Sequence, residues 1–188
     1  MLQQELLKEI IQILNKNNIP YMLTGSVVSS FQGEPRLTHD IDIIIHVEKK
    51  DYLKIIGSFP KNNYYFDEKT ISDAIKSKGQ FNIISRDEGS KIDFWLLTES
   101  GFDKSRFSRK VKENFLDFEI EISSPEDTIL EKLYWSKISG VSKKQMIDAL
   151  RVFEVQYQRL DLKYLKFWAE KLEVQKELEE IEKVAEVL

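Results

Sequence analysis

The sequence predicts an α/β core followed by an all-helical C-terminal part. Three observations carry this. Short β-type segments (Tyr21–Leu23, Ile43–Ile45, Phe81–Ile84, Ile92–Leu97 and Phe118–Ile122) alternate with helically spaced ones as far as residue 123. Ile43-Ile-Ile45 is apolar on both faces, as a central, covered strand should be. From Ser124 to Leu188 no further strand is legible. The expected division is therefore residues 1–123 as the core and 124–188 as a helical part packed on it.

The elements follow in order. Leu2, Leu6, Leu7, Ile10, Ile11, Ile13 and Leu14 repeat at a helical period. Asn15 to Pro20 ends that helix and leads into the short strand Tyr21–Leu23. Gly25-Ser26 opens a second helix, which ends near Gly33-Glu-Pro35, and an acidic strand runs from about His39 to Val47. Asp51 to Phe59 is helical and closed by Pro60; a short strand around Tyr64–Phe66 and a helix over Thr70–Lys76 come next. Phe81–Ile84 and Ile92–Leu97 form a hairpin across Arg86-Asp-Glu-Gly-Ser90, and Val111–Ile122 holds one or two more strands. Ser124-Pro-Glu-Asp127 is a helix start with a Ser cap, Pro in the first turn and acids at the positive end of the dipole. Three or four helices follow, broken near Gly140 and Leu160-Asp161.

Composition narrows the chemistry. The chain has 188 residues, 41% apolar and 32% charged, enough for a sizeable core. Without cysteine there are no disulfides, thiolate nucleophiles or Cys-based zinc sites. Met1-Leu-Gln-Gln-Glu5 does not read as a signal peptide, and no apolar run nears the about 20 residues that span a bilayer. The expected location is cytoplasmic. A net charge of −4 argues against a sequence-independent DNA coat.

Asp40-x-Asp42 is the most informative pair. In a strand, alternate side chains leave on one face, about 7 Å apart at Cα. At about 6 Å and an effective dielectric of about 20, two such carboxylates repel by roughly 3 kcal/mol. A divalent cation is the simplest compensation, and hard oxygen ligands point to Mg²⁺ or Mn²⁺. Asp93, in a strand otherwise apolar on both faces, is the natural third ligand, since a lone buried carboxylate is costly. Three such acids would suit the two-cation clamp of polymerases and nucleases. Gly25-Ser26 supplies a backbone open to close phosphate approach, free N–H groups and a hydroxyl donor. No Walker G-x-x-x-x-G-K-[ST] sequence is present.

The order strand–Gly25-Ser26–helix, then Arg36-x-Thr38-x-Asp40-x-Asp42, then Asp93 on a later strand, resembles the nucleotidyltransferase superfamily of the DNA polymerase beta type. Ser124-Pro-Glu-Asp-x-x-x-x-Lys132-Leu133 followed by Lys143–Leu150 looks like the downstream motifs of its minimal, AbiEii-like or MenT-like branch, which includes toxins of toxin–antitoxin and abortive-infection systems. The resemblance spans roughly residues 20 to 155. It implies a mixed sheet with flanking helices and two Mg²⁺ ions on Asp40, Asp42 and Asp93. It also implies nucleotide contacts by Gly25 and Ser26 to the β and γ phosphates, by Arg36 and Thr38, and by Lys132 and Asp148. The implied reaction moves an NMP from an NTP such as ATP to an acceptor hydroxyl of RNA such as a tRNA 3′ end, of a protein or of a small molecule, releasing pyrophosphate. An antitoxin or a second copy would be the protein partner. Two departures stand out: Thr24 where many members have a second glycine, and Met146-Ile147 where an Arg-Asp pair is common. The alternative is a catalytically silent nucleotide-binding or partner-binding module with the same fold.

Each residue also has a plainer explanation. Asp40 and Asp42 could be a strand end meeting water, although Ile44 on the same face speaks against it. Asp93 could pair with Lys91 or Arg86 across the hairpin. Gly25-Ser26 could be only a helix cap, and Arg36 and Thr38 could only close a loop. Lys132, at the edge of the stripe Ile129, Leu130, Leu133, Tyr134, could snorkel, and Asp148 could pair with Lys144 four residues earlier. His39 and His46 read as strand-end residues without zinc-like spacing. The basic stretch Lys104–Lys112, with Phe102 and Phe107 interleaved, could meet a nucleic-acid backbone or be a solvated face. Glu173–Leu188 reads as a final amphipathic helix packed on the helical part or on a partner subunit.

Overall fold

Residues 3–38, 40–87, 89–115, 117–140 and 142–187 are described by the computed structural model. Met1, Leu2, His39, Glu88 and Leu188, named above, lie outside them. The chain divides into two compact units, one of Met1–Thr24 and Thr38–Ile122, the other of Gly25–Leu37 and Ser123–Leu188. The helical unit therefore takes in Gly25–Leu37, which the sequence reading had given to the core.

The first unit is a mixed α/β sheet with helices. Helix α1 (Gln3–Lys16) buries Leu6, Leu7, Ile10, Ile11 and Leu14, one stripe at helical spacing. Strand β1 (Tyr21–Thr24) is buried along its whole length. Next come β2 (Ile41–Ile45), a 3₁₀ turn at Lys49–Asp51, α3 (Tyr52–Ser58), β3 (Tyr64–Tyr65) and α4 (Glu68–Ser77). Asp67 caps α4 by accepting the Thr70 N–H at 2.6 Å. The hairpin β4 (Gln80–Ser85) and β5 (Lys91–Leu96) turns through Gly89 at a φ of 68°. Helix α5 (Gly101–Ser108) and strands β6 (Val111–Phe115) and β7 (Phe118–Ile122) complete the unit.

Among the described residues, seven strands form one sheet in the order β3-β4-β5-β2-β1-β7-β6. Strand β2 runs parallel to β5, and β1 parallel to β7; the other pairs are antiparallel. The acid-bearing strands are thus interior, which explains why Ile43, Ile44 and Ile45 are buried.

Two differences from the sequence reading matter. The acidic strand begins at Ile41, so Asp40 stands one residue ahead of it rather than within it. The short helix α5 was not foreseen; its signal is local, the Ser100 hydroxyl accepting the Asp103 N–H at 3.1 Å. That helix also decides the basic stretch. Lys104 pairs with Glu99, Arg106 with Asp103, Lys110 with Glu121 and Lys112 with Glu119, each within 2.8 Å. Four of its five cations thus have an acidic partner within their own unit.

The second unit is helical: α2 (Gly25–Gln32), α6 (Pro125–Ile138), α7 (Lys143–Gln156), α8 (Leu162–Lys171) and α9 (Gln175–Val184). The expected final helix from Glu173 is shorter, because Glu173 takes a left-handed φ of 57° and Val174 caps α9. Ser124 caps α6 as expected, accepting the Asp127 N–H at 3.2 Å. The buried Asp127 carboxylate in turn accepts from the Ser124 hydroxyl and from Tyr164, both at 2.7 Å. Helices α2 and α7 approach closely at Gly33, where an added Cβ would lie 2.9 Å from the backbone of Arg151 and Val152. Gly33→Ala is expected to lower stability by about 1–3 kcal/mol through overpacking, seen as a lower urea midpoint at unchanged m-value.

Candidate active site

Strand register assembles the acids. Asp42 and Asp93 are direct partners across the parallel pair β2/β5. The same row continues to Thr24 on one side and Asn82 on the other. Four polar side chains thus cross one face of the sheet. Asp93 is only 5% exposed, and Asp42 is half-buried. Two positions along, the same face carries Met22, Ile44 and Trp95, a cluster joined by Leu97 and by Phe107 of α5. The acids therefore sit at the edge of an apolar surface, where charge is poorly screened.

Asp93 has a cation partner, the plainer alternative foreseen for it: Lys91 Nζ lies 2.8 Å from Oδ2. Arg86 instead donates to the Lys61 carbonyl at 2.9 Å. The pair leaves Asp93 half-satisfied, because Oδ1 is buried with no hydrogen-bond partner among the described residues. An orphaned, buried carboxylate oxygen beside a second carboxylate fits a hard divalent cation such as Mg²⁺ or Mn²⁺. Asp40 is exposed, and among the described residues no three acidic or histidine side chains already converge as a metal cage.

The second unit holds its own constellation. Asp148, 7% exposed on α7, accepts a two-point hydrogen bond from Arg36, Nε to Oδ1 at 2.9 Å and Nη2 to Oδ2 at 2.8 Å. Lys132 Nζ on α6 also reaches Oδ2, at 2.8 Å, with its side chain only 4% exposed. Lys132 is therefore buried and paired, not snorkelling, and Asp148 turns inward, not toward Lys144. Burial pushes the Asp148 carboxyl up, but hydrogen bonds and charge from Arg36 and Lys132 outweigh it and hold its pKa below the ordinary carboxylate value.

Ser26 completes this set. Its hydroxyl oxygen accepts from Arg36 Nη2 at 2.6 Å and from Lys132 Nζ at 3.3 Å. With both lone pairs engaged, the hydroxyl hydrogen remains as a donor. Two cations against one carboxylate leave one formal positive charge beside that donor. Gly25, just before it, takes a φ of 70°, a conformation that glycine adopts without strain. Thr38 belongs to the sheet unit and not to this cluster.

No family model matches the chain, and no curated protein sequence does either. Solved structures do. A crystal structure of the lincosamide antibiotic adenylyltransferase LnuA with lincomycin bound matches with a TM-score of 0.57 at 13% identity, over 82% of this chain and 98% of that one. An antigenic nucleotidyltransferase-like protein from Paracoccidioides brasiliensis gives 0.58 at 14%, over 99% and 94%. ANT(2")-Ia in complex with adenylyl-2"-tobramycin gives 0.56 at 11%, over 94% and 99%. The fold is that of a nucleotidyltransferase. This agrees with the resemblance at the level of fold; the AbiEii-like or MenT-like branch is not among these neighbours.

Proposed function

We propose that the chain is a metal-dependent nucleotidyltransferase, moving an NMP from an NTP to an acceptor hydroxyl with release of pyrophosphate. The observation that carries this reading is the paired Asp42 and Asp93 with the orphaned Asp93 Oδ1. Asp42 and Asp93, joined by Asp40 from the segment just ahead of β2, would hold Mg²⁺ or Mn²⁺. When bound, the cation would neutralise charge on the nucleotide phosphates and on the attacking oxygen.

The chain's own groups have roles that follow from their chemistry. The Asp93 carboxylate would help take the proton of the acceptor hydroxyl as the hydroxyl oxygen bonds to the α-phosphorus and the bond to the β-phosphate oxygen breaks. Within the helical unit, the Ser26 hydroxyl, with the charges of Arg36 and Lys132 beside it, offers a donor and a positive field suited to a phosphate group. Asp148 keeps those two cations in place. Gly25 and Thr38 would add backbone and hydroxyl contacts to the nucleotide. These steps are mostly positioning and charge neutralisation.

Fold neighbours solved with lincomycin or adenylyl-2"-tobramycin make a small-molecule hydroxyl the first acceptor class to test. A tRNA 3′ end, as in the toxin-type branch, is the second. Calorimetry with Mg²⁺ and each NTP is expected to show saturable binding by wild type that needs the metal and is lost in Asp42→Ala. Labelled-NTP transfer to lincosamides, aminoglycosides and bulk tRNA then names the acceptor. If no NTP binds to folded protein with metal present, the enzyme reading fails and the silent module takes its place. Toxicity on expression, absent with Asp42→Ala, would select the toxin branch.

A further inference from the structure

Lys91 opens β5 two residues before Asp93, so both side chains leave the strand on the same face. Its ammonium lies 2.8 Å from Asp93 Oδ2, yet the side chain remains 43% exposed. A carboxylate assigned above to a metal is therefore already held by a cation that belongs to the chain. The cross-strand partner of Lys91 is Ile84, which gives no electrostatic reason for a lysine at this position.

We propose that Lys91 is a built-in competitor for the divalent cation: its ammonium compensates the aspartates in the metal-free protein and withdraws when Mg²⁺ or Mn²⁺ enters. This inference rests on the metal-binding reading of Asp42 and Asp93. The chemistry suits the task. A lysine is a compact charge on a flexible four-carbon stem, and its exposure leaves room to swing into water. An arginine would grip the carboxylate with a planar fork and release it less readily. Lys91 thus lets two adjacent carboxylates persist without metal, and it sets the metal concentration at which the site loads.

The test is Mn²⁺ binding without nucleotide, followed by the electron paramagnetic resonance signal of free Mn²⁺, on wild type, Lys91→Met, Lys91→Gln and Asp42→Asn. Melting with and without Mn²⁺ is run alongside. Removing one unit charge from the seat of a dication, at an effective dielectric of about 20, is expected to tighten Mn²⁺ binding about tenfold or more in both neutral Lys91 variants. Both variants should also melt lower than wild type without metal and gain more from Mn²⁺. Equal or weaker Mn²⁺ binding by folded Lys91→Met and Lys91→Gln overturns the competitor role; the metal reading survives that result so long as Asp42→Asn loses binding. No saturable binding by wild type or either Lys91 variant removes the metal site itself, and the role of Lys91 with it.

Discussion

Asp148→Ala is expected to cost about 3–5 kcal/mol of stability, the scale for breaking a buried ion pair by removing one partner. The change leaves Lys132, 4% exposed, facing Arg36 with no anion between them. Arg36, whose side chain is 25% exposed, can turn toward water, but Lys132 cannot do so without unpacking α6. A second substitution, Lys132→Met, should therefore recover much of the loss, because a packed apolar group in place of the stranded charge is often neutral or stabilising. The same pairing fixes the sign of the acid response. The folded Asp148 pKa lies below its unfolded value of about 3.9, so its stabilisation is present above that pH and is lost as pH falls through the lower, folded value. Asp148→Asn should accordingly show a shallower fall in stability below about pH 4 than wild type. Urea midpoints across that range measure both effects. A cost for Asp148→Ala below about 1 kcal/mol would mean that the cluster is solvated in solution and positions nothing.

The fold was largely legible because its signals are local and periodic. The isoleucine run of β2 is hydrophobic on both faces, the β4/β5 hairpin has Gly89 in its turn, and Ser124-Pro125 starts α6; each reports its element without help from distant residues. The acids were legible for the same reason, since an Asp in an apolar strand is an anomaly with a known cost. What was not legible depended on pairing at long range. That Asp42 stands opposite Asp93 is a matter of register between strands joined by a long crossover, and alternation within one strand cannot give it. Arg36 and Asp148 are 112 residues apart, so the neighbour visible in sequence, Lys144, was the wrong partner to weigh. Lys132 read as an edge position because α6 is buried on nearly every side, which blurs the stripe that would have marked its polar pocket. Lys91 did carry a signal, its i, i+2 spacing to Asp93, but the spacing alone could not separate a surface pair from a cation held on a buried carboxylate.

Asp42→Asn should have the largest effect on turnover, a loss of about 10³-fold or more, on the scale of several kcal/mol that a correctly held cation contributes to the transition state. Stability should move little, within about 1 kcal/mol of wild type or above it, since sites that crowd like charges are maintained for function at the expense of the fold. The asymmetry is physical. Asn keeps the shape of Asp42 beside Thr24, removes the charge that repels Asp93, and turns one acceptor oxygen into an NH₂ donor. Asp93→Asn should lose turnover as severely but stability more, because it also deprives Lys91 of its 2.8 Å partner. A purely structural role would show the opposite order, with stability falling and residual activity tracking the folded fraction. Steady-state transfer of label from NTP, measured with the urea midpoint of each variant, separates the two accounts. Turnover within tenfold of wild type in folded Asp42→Asn would sink the catalytic reading of the aspartate row.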